Sequence, residues 1–167
     1  KVFRVEPIST IFTNEIPDKW GTTQPRIVMW VKEGRGGIAP LAFAAKEVYF
    51  HSLGQLGGLG GLESIFEGRG DDVVREKQRS LRLGHLEGIT RAGQHDDRIM
   101  RAMTRREFIL TLAYDTDGKA VLVERRPTNP GEELLTDSGE GAEADSAGDV
   151  MAGAGNDWLT LDARRAN

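Results

Sequence analysis

The opening residues 1–25 combine many apolar side chains with three prolines, and this combination restricts how the segment can fold. Pro7, Pro17 and Pro25 lack a backbone N–H donor and have a fixed φ, which disfavours an uninterrupted helix. The apolar positions follow neither a helical nor a strand period, so we predict an extended N-terminal arm with one short turn. An extended arm cannot bury its apolar side chains against itself, and we therefore expect a second subunit to cover them. These apolar residues are Val2, Phe3, Val5, Ile8, Ile11, Phe12 and Ile16.

Residues 26–68 are predicted to form an extended hairpin and loop. Arg26–Lys32 is dense in branched and aromatic residues, and Lys46–His51 is a second strand candidate. Because the stretch 33–37 is rich in glycine, which typically ends a strand, we expect the two strands to pair as a long hairpin. The stretch 54–61 lacks the Gly-Lys-Ser/Thr ending of a phosphate-binding loop, and is expected to be a flexible surface loop.

Residues 69–126 are predicted to form the folded body, which begins with two helices. Asp71–Ile89 is polar and helix-prone, although Gly84 and Gly88 weaken its second half. A second helical stretch begins near Gln94. Its apolar face is predicted to contain Ile99, Met100 and Met103.

The body ends in the clearest local signal of the chain, a hairpin. Phe108–Tyr114 and Lys119–Glu124 are β-prone runs, and the Asp-Thr-Asp-Gly turn between them places Gly118 where a left-handed backbone is needed. One alternative stays open, because Glu107–Leu112 is also compatible with a continuation of the preceding helix.

Residues 127–167 are predicted to be an acidic linker followed by a C-terminal anchor. They contain 9 Asp/Glu and 2 Arg, whereas residues 1–126 contain 17 Asp/Glu and 20 Lys/Arg. Residues 127–156 are rich in Gly, Ala and Ser, which is typical of a disordered linker or a long surface loop. The tail is then expected to dock on the body or on a neighbouring copy. The anchor residues are Trp158, Leu159 and Leu161.

No motif in the chain predicts a catalytic or cofactor site. There is no cysteine, no Gly-x-Ser-x-Gly turn and no His-Glu-x-x-His pair. His95, Asp96 and Asp97 form the one dense set of potential metal ligands, but adjacent acids also suit a helix N-terminus. Asp115 and Asp117 lack the spacing of a calcium loop. We expect no enzymatic activity, no cofactor and no metal; a metal-dependent hydrolase using His95, Asp96 and Asp97 is an alternative hypothesis.

Direct recognition of nucleic acid or membrane is not predicted either. The arginines between Arg69 and Arg106 are interleaved with acidic residues, which favours a salt-bridged or intersubunit surface over a phosphate-binding patch. No apolar run is long enough to span a bilayer.

Several short strings occur in a distinctive order along residues 8–162. They are Met29–Pro40 (apolar residues, Val-Lys and later Ala-Pro), Glu63–Gly68 (Glu-Ser-Ile-Phe), Met103–Glu107 (ending Arg-Arg-Glu), Lys119–Val123 in the hairpin, and Trp158 with Asp162. In this order the chain resembles the lambda-type capsid protein E family of tailed phages.

The resemblance implies an α+β, tailed-phage major-capsid-like fold. Its expected parts are an extended N-terminal arm, a long β-hairpin or extended loop, a spine helix and a peripheral β-hairpin. The family also has a central axial domain, and this chain ends about where that domain begins. We therefore expect a segment of a longer subunit, a processed product, or a smaller virion component on a related fold. Gly84 and Gly88 depart from the family's unbroken spine helix.

The principal hypothesis is a virion structural protein that self-assembles into a capsid shell enclosing phage DNA. Its expected partners are other copies of itself and other virion proteins, such as a scaffold, decoration, portal or connector protein, with indirect contact with the packaged DNA. Assembly is expected in the host cytoplasm. The alternative is a head–tail connector or a tail ring or tube protein. Candidate subunit-interface residues are Phe3, Val5, Ile8, Ile11, Phe12, Trp30, Phe50 and Trp158.

Overall fold

The structure, a computed structural model, describes residues 5–59, 71–105, 108–136 and 159–163. These residues form five α-helices and six β-strands, and the strands make two three-stranded sheets with the orders β1-β2-β6 and β4-β3-β5. The predicted α+β class is therefore confirmed. The capsid-like arrangement of these elements stays a prediction.

The N-terminal arm is helical, so the prediction of an extended arm is wrong. Pro7 lies in the first turn of a helix. Backbone N–H groups in this turn have no intrahelical acceptor, so a proline there costs the helix no hydrogen bond. Pro17 follows a π-helical turn, in which the Ile16 N–H donates to the Ile11 carbonyl five residues back. This wider turn accommodates the second proline without ending the helical path. The elements are α1 (Glu6–Thr10), the π-helical turn (Ile11–Glu15) and α2 (Ile16–Trp20).

The predicted long hairpin is also wrong, because β1 (Val28–Arg35) and β2 (Glu47–Gly57) are parallel. Residues 36–46 return the chain to the start of β2 through a 3-10 turn (Gly36–Ile38) and a short helix α3 (Ala39–Ala42). Because this connection is small and apolar, burial stabilises it more than exposure to solvent would. It therefore packs into the core of its own subunit and not across a neighbouring one. Its buried residues are Ala39, Pro40, Ala42, Phe43, Ala44 and Ala45.

The first part of the glycine-rich stretch continues β2, so the prediction of a flexible loop is wrong for residues 54–57. A Cβ atom at Gly54 would lie 2.5 Å from the carbonyl oxygen of Val31, so the close approach of these two strands requires glycine. Gly57 has a φ of 141°, which L-residues rarely adopt. Residues 60 and 61 lie outside the described part of the chain.

Both predicted helices of the body are confirmed, as α4 (Asp72–Ala92) and α5 (Arg98–Thr104). α4 continues through Gly84 and Gly88 because its inner face is held by the core. No described helix, α4 included, is long and apolar enough to cross a membrane. The buried apolar residues of the two helices are Leu83, Leu86, Ile89, Met100, Ala102 and Met103.

The predicted hairpin is confirmed as β3 (Thr111–Tyr114) and β4 (Ala120–Val123), which pair in antiparallel register. Gly118 has a φ of 76°, as the turn requires. The Asp115 carboxylate accepts two backbone hydrogen bonds within the turn, at 3.0 and 2.8 Å. Residues 108–110 are not helical, so the alternative of a continued helix is wrong for them.

The first residues of the predicted acidic linker are part of the fold. β5 (Glu133–Leu134) pairs with β3, and Leu135 and Thr136 are buried behind it. The Leu110 N–H donates to Thr136 Oγ1 at 2.8 Å, which fixes this end of the segment to the core. Residues 137–156 lie outside the described part.

The predicted C-terminal anchor docks on the body. β6 (Thr160–Asp162) pairs with the end of β2 in antiparallel register, and Leu159 and Leu161 are buried. The Leu159 N–H also donates to the carbonyl of Ala102 in α5 at 3.0 Å. Trp158 lies outside the described part.

Candidate subunit interface

Large apolar side chains are exposed on one face of the first sheet. Val28 lies opposite Glu47 and Trp30 lies opposite Tyr49, so these four side chains share a face. Trp30 is 66% exposed, Tyr49 47% and Val28 43%. We call Val28, Trp30 and Tyr49 the outer sheet face. Tryptophan and tyrosine are enriched among the residues that dominate protein interfaces, so this face is a candidate contact surface.

An ion pair borders the outer sheet face. Arg26 donates to both carboxylate oxygens of Glu47, at 2.7 and 2.6 Å, and the Tyr49 hydroxyl donates to Glu47 Oε2 at 3.0 Å. The hydrogen bonds from Arg26, followed by the one from Tyr49, lower the pKa of Glu47 from 4.5 to about 2. The carboxylate therefore stays charged across the physiological pH range and holds the tyrosine ring in place.

The helical arm exposes a second apolar surface. Ile8 and Ile11 are each more than two-fifths exposed, and Trp20, at the end of α2, is 56% exposed. Phe12 is half-buried, whereas Val5 is buried within the same subunit. The arm therefore keeps part of its predicted role as an apolar surface, even though its backbone is helical.

The remaining interface candidates have different positions. Phe50 lies on the inner face of the sheet and is partly buried against the core, beside Val48. Phe3 and Trp158 lie outside the described residues. Of the predicted residues, the structure thus brings Ile8 and Ile11 together on the arm and places Trp30 on the outer sheet face.

A leucine-lined cavity of about 450 Å³ lies at the β2 edge of the first sheet. We use this name for the space between the inner face of β2 and the β3–β4 hairpin. Small-molecule and side-chain pockets are typically ~300–1,000 Å³, so the cavity is large enough to receive a ligand or a large side chain. The apolar residues that line it include Val48, Phe50, Ile99, Leu112, Leu122 and Leu161.

One wall of the cavity is a strand edge. Five consecutive residues, 46–50, line it. In the described chain β2 pairs with β1 on one side, whereas β6 pairs with its other side only at residues 55–57. The edge of β2 at residues 47–50 therefore presents backbone donors and acceptors to the cavity without a strand partner among the described residues.

His95 packs at the inner end of the cavity and has a structural role there. Its Nε2 atom lies 2.7 Å from the carbonyl oxygen of Ala45, and its ring meets the Phe43 ring edge-on with centroids 5.5 Å apart. These contacts join the start of α5 to the connection between β1 and β2.

The two aspartates that follow His95 bind arginines. Asp96 accepts hydrogen bonds from Arg98, as close as 2.5 Å, and this pairing lowers the pKa of Asp96. Asp97 pairs with Arg91 at 2.9 Å. Across the described residues, no three His, Cys, Asp or Glu side chains lie close enough together to hold a metal ion. The hypothesis of a hydrolase built on this cluster therefore gains no support from the geometry.

Arginines of the helical body are paired within the chain. The buried Glu87 carboxylate accepts from Arg101 at 2.7 Å and from Arg91 at 3.2 Å, and Arg101 also lies 3.7 Å from Glu124. The hydrogen bond with Glu87 raises the pKa of Arg101. Because these charges are already neutralised by carboxylates, this surface is poorly suited to binding phosphate.

The cavity and the buried Glu87 network were not predicted from the sequence. The cavity walls come from segments far apart in the chain, and no local period marks such an assembly. The sequence gives one weak indication of the Glu87 network. Glu87 lies four residues before Arg91, a spacing that brings two side chains together on a helix.

Comparisons with protein-family models, with curated proteins and with solved structures found no match for this chain.

Proposed function

We propose that the chain is a virion structural protein that self-assembles into a capsid shell enclosing phage DNA, with other copies of itself as its principal partners. The observation that carries this proposal is the exposure of large apolar side chains on both the arm and the outer sheet face. Single exposed apolar residues are common in monomers, but clustered ones mark interaction sites.

The distribution of these residues favours contacts with several neighbours. The arm exposes Ile8, Ile11 and Trp20, and the outer sheet face exposes Trp30 and Tyr49. Exposed apolar side chains on two different elements suit a subunit that contacts more than one neighbour, as in a ring or a closed shell. Many weak contacts of this kind add up in a closed assembly.

The resemblance to the lambda-type capsid protein E family supports the same proposal through element order. In chain order the helices α4 and α5 precede the β3–β4 hairpin, which is the order that the resemblance implies for a spine helix and a peripheral hairpin. The string Met103–Glu107, which the resemblance assigns to the spine helix, begins at the end of α5 and not in α4. The helical arm and the parallel β1–β2 pair depart from that pattern. The proposal therefore depends on the exposed apolar surfaces more than on the resemblance.

The charges of the helical body fit an indirect contact with DNA. Arg91 and Arg98 are bound by carboxylates of the same chain. A subunit whose arginines are neutralised by its own carboxylates can enclose DNA without direct recognition of it. Binding of short duplex DNA at physiological salt should therefore be weak.

Light scattering during size-exclusion chromatography, followed by electron microscopy of the same fractions, tests the proposal. We expect concentration-dependent assembly into shells or shell fragments. Rings of one fixed low symmetry would favour the connector alternative. A compact monomer at high protein concentration would contradict self-assembly. An Ile8→Ser/Ile11→Ser double variant should assemble more weakly than Val73→Ser/Val74→Ser, which changes exposed apolar residues at the start of α4.

A further inference from the structure

We propose that Trp30 of one copy inserts into the leucine-lined cavity of the next copy. This contact rests on the self-assembly proposed above and specifies its partner and its geometry. The proposal begins from two features of the described residues: an exposed indole on the outer sheet face and a largely apolar cavity at the β2 edge of the same sheet.

Trp30 is well placed to act as the inserted side chain. It is 66% exposed, on an eight-residue strand at the edge of its sheet. Its backbone is fixed by pairing with β2, so the indole is presented from a rigid element. An aromatic ring on a rigid strand loses little conformational entropy on binding, and a buried tryptophan removes ~150–250 Å² of its surface from water.

The cavity matches an indole in size and chemistry. Its volume is about 450 Å³, and Leu112 and Leu122 form an apolar wall opposite Phe50. The indole N–H needs an acceptor when it is buried. The edge of β2 at residues 47–50, which has no strand partner among the described residues, supplies backbone carbonyl groups along one wall. An apolar ring with a single donor therefore fits this site better than a charged side chain.

The positions of the two features limit how copies can be arranged. Trp30 projects from the outer face of β1, whereas the cavity lies at the edge of β2, where Glu47 and Tyr49 of the outer face line it together with Val48 and Phe50 of the inner face. Repeated head-to-tail, the contact generates a ring or an open filament, and made twice between two copies it closes a dimer.

Complementary variants of the full-length chain test this contact. Trp30→Ala removes the inserted side chain but keeps the cavity, and Leu122→Trp fills the cavity but keeps Trp30. We expect each variant alone to bind its own copies about 30-fold more weakly than the unaltered chain, as for loss of a dominant interface residue. Mixed in equal amounts, they should form a heterodimer, because one intact Trp30 meets one intact cavity. Native mass spectrometry identifies it, since the two variants differ in mass.

The controls separate this contact from general assembly and from misfolding. Leu81→Ala changes a residue that is 74% exposed elsewhere on the surface and should assemble as the unaltered chain does. If Leu122→Trp fails to fold by circular dichroism, Ile99→Trp fills the same cavity from α5.

Each outcome decides a different point. Unchanged assembly of Trp30→Ala overturns this contact but leaves self-assembly intact. Loss of assembly in Leu122→Trp without loss in Trp30→Ala also overturns it, because another group then occupies the cavity. An unaltered chain that stays monomeric overturns self-assembly itself, and the contact with it.

Discussion

The N-terminal region and the helical body use their apolar residues in opposite ways. In residues 5–35 the large side chains Ile11, Trp20 and Trp30 are exposed, whereas in α4 and α5 Leu86 and Met100 are almost completely buried. These buried side chains of the two helices stabilise the single chain, because the hydrophobic contribution scales with the area removed from water. The N-terminal region keeps apolar area available for a partner.

Truncation of a core leucine should show the largest effect. Leu86 is 1% exposed in the core, so Leu86→Ala removes buried contacts and leaves a cavity, with an expected loss of about 2–5 kcal/mol in the free energy of unfolding. Leu81, five residues earlier on the same helix, is 74% exposed, and Leu81→Ala should change stability by no more than about 0.5 kcal/mol. Urea denaturation measures both. Equal losses would mean that the two faces of α4 are not distinguished in solution.

How well the sequence predicted each region follows from the range of the interactions that form it. The β3–β4 hairpin was predicted because Asp115 and Gly118 specify the turn within four residues. The faces of α5 were predicted because Met100 and Met103 lie one helical turn apart. In both cases the contacts that determine the structure join residues close in sequence, so the local pattern of residue types predicts them.

The failures are long-range or depend on backbone detail. The parallel pairing of β1 and β2 depends on burial of the connection around Phe43, which no local pattern specifies. The arm was mistaken for an extended segment because the π-helical turn before Pro17 has no sequence signature. Trp30 was predicted to be an interface residue because of its type, and that stays a prediction. The cavity was missed because its walls come from separate segments.

The buried ion pairs of the body should give a smaller but measurable effect. Glu87 bridges Arg91 and Arg101, and Glu87→Ala leaves the partly exposed Arg101 with only the more distant Glu124. We expect a loss of about 1.5–3 kcal/mol in the free energy of unfolding, in the range of hydrogen bonds to charged groups. The exposed pair Lys19–Glu15, at 3.8 Å, is the control, and Glu15→Ala should cost no more than about 0.5 kcal/mol. Thermal unfolding of the two variants tests the difference.

Replacement of either of two glycines on the solvent-exposed side of α4 should increase the stability of the chain. A Cβ atom at Gly84 or Gly88 would meet no other atom within 4 Å, and neither glycine has a positive φ. Alanine should therefore stabilise the helix by about 0.5–1 kcal/mol at each position. Gly93, just after the helix, is the control, because a Cβ atom there would collide with the carbonyl of Phe43 and Gly93→Ala should destabilise. Destabilisation by Gly84→Ala would show that a neighbouring surface approaches this face closely.

The smallest expected effect is the lowered pKa of Glu47, at the border of the outer sheet face, which a titration measures. Glu47 has its pKa lowered from 4.5 to about 2, first by hydrogen bonds from Arg26 and then by the one from Tyr49. Because the folded-state pKa lies below the ordinary value, the carboxylate contributes stability that is fully present above about pH 4.5. That contribution is lost as the pH falls through about 2. NMR titration of the Glu47 carboxyl carbon measures the midpoint directly.

Variants assign this titration to its causes. Arg26→Ala should move the Glu47 midpoint up toward 4.5, and Tyr49→Phe should move it by a smaller amount, in the order of their contributions to the lowered pKa. Arg35→Ala is the matched control, since Arg35 bonds Gln55 at the far end of β1 and should leave the midpoint unchanged. A midpoint that is insensitive to Arg26→Ala would mean that the ion pair does not form in solution. Tyr49 would then lose one of the groups that orient its ring. The outer sheet face would in that case be less rigid than the helical body.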